Sequence, residues 1–335
     1  MTMDRNEWLG LIVEPPLDSN LAICDAHHHL WDRPTSRYMP DGLMRDIGGV
    51  RVTSTVFVEC SSGYRREGPV EMRPVGETEF VKDIAVRAAS GQYGNTRIAA
   101  GIVGFADLTL GIAVEPVLEA HMQAGRGYFK GIRHSSCWDA SPEIPSYMNQ
   151  PPGLLLQPGF REGFACLGKR GLSFDAWLYF HQMSELADLA RAFPDTTIVL
   201  DHIGGNIGVA PYADRRAEMY DRWLAGIVEL ATCPNVVVKV GGLGMTRTGF
   251  GWHERPVPPD SVELAEAMKP YYLRCIEHFG VERCMFESNF PVDRASYSYI
   301  VMWNAYIRLT QGFSAAEKQV LFHDTALRVY RIHEE

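Results

Sequence analysis

Residues 24–32 read Cys-Asp-Ala-His-His-His-Leu-Trp-Asp, so three of the chain's 11 histidines adjoin at the end of the apolar run Leu21-Ala22-Ile23. If that run is a strand, alternate side chains share a face. His27 and His29 then point one way, Asp25 with them, and His28 the other. Two imidazoles at this spacing can share one divalent ion. His202, inside Leu-Asp-His-Ile-Gly-Gly, supplies a third nitrogen, and a water in the fourth position would become a nucleophile. Other ionisable or polar groups also end apolar runs: Glu59, Arg133, Tyr179 with His181, Lys239, and Glu287 with Asn289. Each has an ordinary structural role open to it. A single strand-end histidine is commonly a satisfied core group, Lys239 can pair with Glu59, and Arg133 can anchor a loop carboxylate. Their number is what points to a site, because buried charge is costly unless it serves one.

The elements that must gather these groups follow from the pattern. Eight runs rich in Val, Ile, Phe and Thr, at 21–29, 52–60, 97–105, 128–134, 172–180, 196–203, 235–242 and 283–290, have the composition of strands buried on both faces. Amphipathic segments separate them, at 76–90, 113–125, 160–170, 184–193, 215–231, 261–279, 297–310 and 315–332. The last opens Ser314-Ala315-Ala316-Glu317, a capping-box pattern. Eight strand–helix units predict an α/β fold, a (β/α)8 TIM barrel in which residues 1–335 form one domain. A doubly wound sheet would want a glycine-rich turn after the first strand, where the histidines stand instead. Three long connections, 61–75, 135–159 and 241–260, leave C-terminal strand ends, the face on which barrel sites are built. They carry Arg65, Arg66, Arg73 and Arg247, read mainly as solvated loop charge. Their aromatics Trp138, Tyr147 and Trp252 are candidate lid residues.

The composition narrows the partners. A formal net charge of −9 with no basic run discounts nucleic acid. No apolar run approaches the ~20 residues that span a bilayer, so no membrane association is expected. Seven scattered cysteines without a C-x-x-C pair, and no leader-like N-terminus, predict reduced thiols and a cytoplasmic location.

DAHHHLWD resembles the D-x-H-x-H-L-W opening of the amidohydrolase superfamily, in its amidohydrolase 2 branch of TIM-barrel hydrolases and lactonases. VLDHIGG at His202, NVVVKVGGL at Lys239 and RCMFESNFPVD at the last strand are similar to later motifs of that branch. The resemblance spans about residues 20–333. It implies that His27, His29 and His202 lie in the site, and that Arg133 and Lys239 hold a substrate carboxylate. One departure matters. Where the family ends its last strand in Gly-Ser-Asp, this chain has Glu287-Ser288-Asn289. Asparagine cannot act as a base. Glu287 or Asp293 would have to supply the carboxylate, and the metal, one zinc-like ion or none, is left open. The expectation is a hydrolase that opens a lactone of a small carboxylated compound. Glu287 or Asp293 would accept water's proton, and His27 and His29 would stabilise the oxyanion. Glu59, Tyr179, His181 and Trp138 complete the substrate-binding set. The alternatives are a metal-dependent decarboxylase of an aromatic or unsaturated acid, and an inactive barrel that binds a small acid. A homodimer is compatible with either.

Overall fold

The computed structural model describes residues 4–144 and 146–334. Eight parallel strands form one nearly closed sheet, each hydrogen-bonded to the next: β1 (Ile23–His28), β2 (Val52–Val58), β3 (Arg97–Gly104), β4 (Phe129–Arg133), β5 (Ser173–Ala176), β6 (Ile198–Leu200), β7 (Val236–Val240) and β8 (Cys284–Phe286). The segment after β8 closes the ring against β1. Asn289 N–H donates to His27 O and His29 N–H to Phe290 O, both at 2.8 Å. The Asp25 carboxylate takes the Ser288 N–H at 2.8 Å. The expected (β/α)8 barrel is therefore the observed fold.

Helices cover the outside. Ser261–Phe279 starts where Asp260 accepts the N–H groups of Val262 and Glu263 at 2.9 Å, satisfying donors that a helix start leaves open. It buries Leu264, Met268, Tyr272, Cys275, Ile276 and Phe279, a stripe at helical spacing. The helix expected over 315–332 is interrupted. Its capping box forms between Ser314 and Glu317, but a π-turn at Val320–Asp324 separates Ala315–Gln319 from Thr325–Val329. The tail then runs under the N-terminal strand ends, where Lys130 Nζ donates to Arg331 O at 3.1 Å.

Inside the ring, Cys24, Ala26, Val56, Val58, Val103, Val199, Val237 and Met285 pack with Tyr330, which enters from below. Ala26 and His27 cannot share a face in a regular strand. A register shift between Asp25 and His28 resolves this, turning the end of β1 over. Asp25 is thereby sent outward to Ser288 and to the Tyr299 hydroxyl at 3.0 Å, away from His27. Simple alternation had placed Asp25 with His27, and the bulge corrects it. His28 does point elsewhere, to Thr55 Oγ1 at 2.8 Å. The seven cysteines are free and buried, and among the described residues no helix is long and apolar enough to cross a membrane.

Candidate active site

Strand ends on several sides of the barrel deliver charge to one buried cluster. Lys239, near the end of β7, lies 2.6 Å from Asp175 Oδ2 of β5 and 3.0 Å from Asp201 Oδ1, just past β6. Its Nζ is 3.2 Å from His27 Nδ1. Beneath it, the Tyr330 hydroxyl donates to the same Asp175 oxygen at 2.6 Å. Arg133, ending β4, donates through Nε to Glu59 Oε1 at 2.8 Å and through a terminal nitrogen to Glu59 O at 2.5 Å. Its other terminal nitrogen stands 3.5 Å from Asp201 Oδ2 and 3.4 Å from His27 Nε2. Lys239, Asp175, Asp201, Glu59 and His27 are fully buried. Burial opposes charge on Lys239, but Asp175, Asp201 and Glu287 outweigh it and raise its pKa. Burial likewise opposes charge on Asp201, and Lys239 and His27 hold that carboxyl well below its usual range.

The His29 Nδ1–H donates to Val58 O at 2.8 Å, leaving its Nε2 as an acceptor. His27 Nε2 lies 3.2 Å from that nitrogen, and His27 Nδ1 lies 3.2 Å from both the Lys239 ammonium and Glu287 Oε2. Burial, with Lys239 second, lowers the His27 pKa to about 4. His202 is held differently. It sits at positive φ, 55°, in the turn after β6, where its Nδ1–H donates to Glu287 Oε1 at 2.7 Å and its own N–H to the same oxygen at 3.1 Å. Its Nε2 is then the lone-pair nitrogen. Burial pushes the Glu287 carboxyl up, and His202 and His27 overcome that and hold it at about 2. The turn needs Gly242 beside it, since a Cβ there would lie 2.5 Å from His202 Cβ.

Above this cluster opens a cavity of about 160 Å³. His29, Arg133, His202 and Asn289 form its floor and sides. Trp31 and Arg33 come from a short hairpin after β1, Trp177 follows β5, and Met245 and Arg247 come from the loop after β7. Arg33 lies 4.5 Å over the Trp31 ring. Arg247 lies over Trp177 and donates to the Tyr179 hydroxyl at 2.7 Å. Each guanidinium is thus fixed on an aromatic surface, which cuts the entropy lost when it grips an anion.

The structure sorts the residues read from sequence. His29, Arg133, His202 and Asn289 line the cavity. His27, Glu59, Lys239 and Glu287 lie in the cluster beneath it. Tyr179 supports Arg247 from behind. His181 accepts no place in the wall; its Nε2 bonds Trp138 O at 3.0 Å, so the two tie one loop to another. Asp293 accepts the Gly244 N–H, the Tyr297 hydroxyl and the Asn289 amide, at 2.9, 2.7 and 2.7 Å, and burial raises it to about 6. Its acceptors are spent on structure. The Lys239–Glu59 ion pair allowed by the sequence does not form, because Arg133 takes Glu59 and Lys239 faces the opposite strands. Among the described residues, 241–260 is the only one of the three long loops that contributes to the cavity wall, and the Tyr147 side chain lies outside those residues. Asp175, Asp201 and the Trp31–Arg33 hairpin were not singled out from sequence. Both aspartates carry the same signal as Lys239, a charge ending an apolar run.

His27, Asp201 and His202 offer ligand atoms within 4.8 Å of one another, a donor set that suits a divalent ion. Lys239 and Arg133 face the same atoms at 3.0–3.5 Å. The carboxylates of Glu59, Asp175, Asp201 and Glu287 outnumber these two cations, so the cluster keeps an excess of negative charge. Both Asp201 oxygens and Glu287 Oε2 are buried and make no hydrogen bond. His27, Asp201 and His202 could therefore hold a divalent ion, which would polarise a water or a carbonyl there. The steps below are those that the chain's own residues supply.

Comparison with known proteins places the chain. It is 34% identical over 329 residues to the "Uncharacterized protein y4mH" of Sinorhizobium fredii, covering 94% of this chain and all of that one. It is 28% identical over 276 residues to the L-fucono-1,5-lactonase of Burkholderia ambifaria, covering 81% and 80%. The crystal structure of an amidohydrolase from Burkholderia multivorans with bound zinc superposes with a TM-score of 0.71 at 24% identity, over 93% of this chain and all of that one. The amidohydrolase family profile matches residues 24–332. With the histidine-bearing β1, the charged strand ends and the barrel itself, this places the chain in the amidohydrolase superfamily, in its amidohydrolase 2 branch.

Proposed function

We propose that the protein hydrolyses a lactone of a small carboxylated acid, with His202 moving the proton. The observation that carries this reading is the His202–Glu287 pair at the edge of a cavity walled by Arg33, Arg133 and Arg247. The lactonase names of two Burkholderia relatives support the same chemistry.

In the proposed reaction a water attacks the lactone carbonyl carbon and gives its proton to His202 Nε2. The Glu287 carboxylate orients the ring and stabilises the imidazolium that forms. The terminal nitrogen of Arg133 that faces His27 is a fixed donor for the oxyanion, held in place by Glu59. The ring C–O bond then breaks, and His202 returns the proton to the leaving alkoxide. The product is an open-chain hydroxy acid. Glu287 itself does not line the cavity, so it acts through His202 rather than on water. Arg133 cannot also clamp a carboxylate bidentately, because two of its nitrogens are committed to Glu59. Arg247 and Arg33 take that part. Asn289 spends its NH₂ on Asp293, which leaves its carbonyl oxygen to accept a substrate hydroxyl.

The test is ring opening of a panel of carboxylated lactones, beside uncharged lactones of the same ring size, with wild-type protein and His202→Gln. Turnover should favour the carboxylated members and fall at least 10²-fold in the variant, the usual scale of general-base loss. Folded protein that opens none of them, or a variant that retains wild-type turnover, refutes the reading.

A further inference from the structure

A second cavity, about 550 Å³, lies beside the first and shares Arg247 with it. Its walls are two loops, 208–213 after β6 and 246–254 after β7. The loops are clamped backbone to backbone. Gly208 N–H donates to Arg247 O at 2.8 Å, and a Cβ on Gly249, at φ +75°, would come within 2.0 Å of Gly208 O. Arg216 holds the same corner, donating to Gly249 O at 2.9 Å with its guanidinium 4.4 Å over the Phe250 ring. The space is a fixed feature of these two loops rather than a gap that closes.

The lining alternates two kinds of surface. Val209, Ala210 and Ala213 present a low apolar shelf. Thr246, His253 and Glu254 present a hydroxyl, an imidazole and a carboxylate. His253 Nε2 lies 3.6 Å from Glu254 Oε1, so the imidazole and the carboxylate stand together on this wall. A ring with a hydroxylated edge and a C–H face matches such a wall on both counts. Arg247 stands between the two spaces, steadied by the Tyr179 hydroxyl, where it meets the junction of a two-part molecule.

We infer that the substrate is a two-ring molecule: its lactone ring occupies the smaller cavity, and a second, hydroxylated ring occupies the larger one. This rests on the lactonase reading for its chemistry, though not for the binding itself. The probes are the lactone of a sugar diacid, the same lactone bearing a glycosyl unit, and the ring-opened glycosylated diacid. The plug is Ala213→Trp, at an exposed turn position where a large side chain fills the cavity without entering the core. Wild-type kcat/KM should be at least tenfold higher for the glycosylated lactone. The variant should lose that advantage and treat the single-ring lactone as wild type does. Calorimetric binding of the ring-opened glycosylated diacid should weaken in parallel. Equal kcat/KM for the two lactones, or an advantage that survives the plug, overturns the inference. If neither lactone opens but the diacid binds and the plug abolishes binding, the cavity assignment stands and the lactonase reading falls. If neither lactone opens and the diacid does not bind, both fall.

Discussion

Tyr330→Phe should weaken catalysis from the far side of the barrel. The hydroxyl is fully buried and donates to Asp175 Oδ2 at 2.6 Å, the oxygen that also holds Lys239. Asp175 Oδ1 has no hydrogen-bond partner, so the tyrosine and the lysine are what steady this carboxylate. Phenylalanine keeps the ring that packs among Ala26, Val56 and Met285 and removes only the donor. A hydrogen bond to a charged group contributes about 1.5–3 kcal/mol. At about 2 °C of Tm per kcal/mol, the low end that suits a chain of this size, that is a loss of about 3–6 °C. Lys239 stands 3.2 Å from His27 and is the counter-charge of Asp201. If about 1.4 kcal/mol of its ordering is lost in the transition state, kcat falls about tenfold. The residue lies beneath the cluster and touches no part of the cavity, so KM should stay within twofold. Differential scanning fluorimetry and steady-state kinetics on one lactone read both numbers. A raised KM with unchanged kcat, or a Tm within 1 °C of wild type, refutes the linkage from Tyr330 through Asp175 to the site.

Three other perturbations separate the parts of the argument. Added zinc should inhibit, because an ion at His202 Nε2 competes with the proton, while dialysis against a chelator should leave the rate unchanged; a rate that falls with chelator and returns with zinc contradicts the assignment of His202 as the proton acceptor. Arg247→Met should raise KM for carboxylated lactones about 10- to 100-fold, the equivalent of about 1.5–3 kcal/mol for a charge-assisted bond, and should leave uncharged lactones nearly unaffected. His323 pairs with Asp324 at 2.7 Å and with Glu334 at 3.1 Å, holding the tail under the barrel. Burial opposes the His323 charge, and the two carboxylates outweigh it and raise its pKa, while His323 helps hold Glu334 at about 2. The histidine's contribution is complete below its unfolded value of about 6.5 and is lost as pH rises through the folded one; that of Glu334 is present above about 4.5 and is lost on the way down to about 2. The latch is strongest between those limits. Melting curves of wild type and His323→Gln should therefore converge from pH 6 to pH 9, by about a degree or two for so solvated a pair, and parallel curves would count against it.

The barrel was legible because its signal is repeated and local. Apolar runs such as 235–242 mark strands wherever they occur, and the amphipathic stripe of 261–279 returned as a helix over the same residues. Strand ends were less legible. The run 196–203 suggested that His202 ends a strand, yet β6 stops at Leu200 and His202 sits in a strained turn, because its backbone N–H finds Glu287 instead of a neighbouring strand. The gathering of His27, Arg133, His202 and Lys239 at one end of the ring could be argued from eight strands sharing one direction. Which charge meets which could not. Partners across a barrel depend on stagger and on local bulges, and the shift between Asp25 and His28 changed the outcome for Asp25 without leaving a mark in composition. Loop contributions were the least readable. The longest loops were expected to shape the cavity, and a three-residue strand carrying Trp31 and Arg33 does more of it than 61–75 or 135–159.

The seam of the ring has a consequence for how the molecule comes into being on the ribosome. Asp25 meets Ser288 across 263 positions, and Glu287 and Tyr330 are translated long after His27. Until those residues emerge, a nascent chain carries His27 without the carboxylate that orients His202 or the hydroxyl that steadies Asp175. Contacts between such distant parts form late and slowly. Activity should accordingly switch on in one step as the segment from Glu287 to Tyr330 docks, and chains halted before it should be inert rather than partly competent.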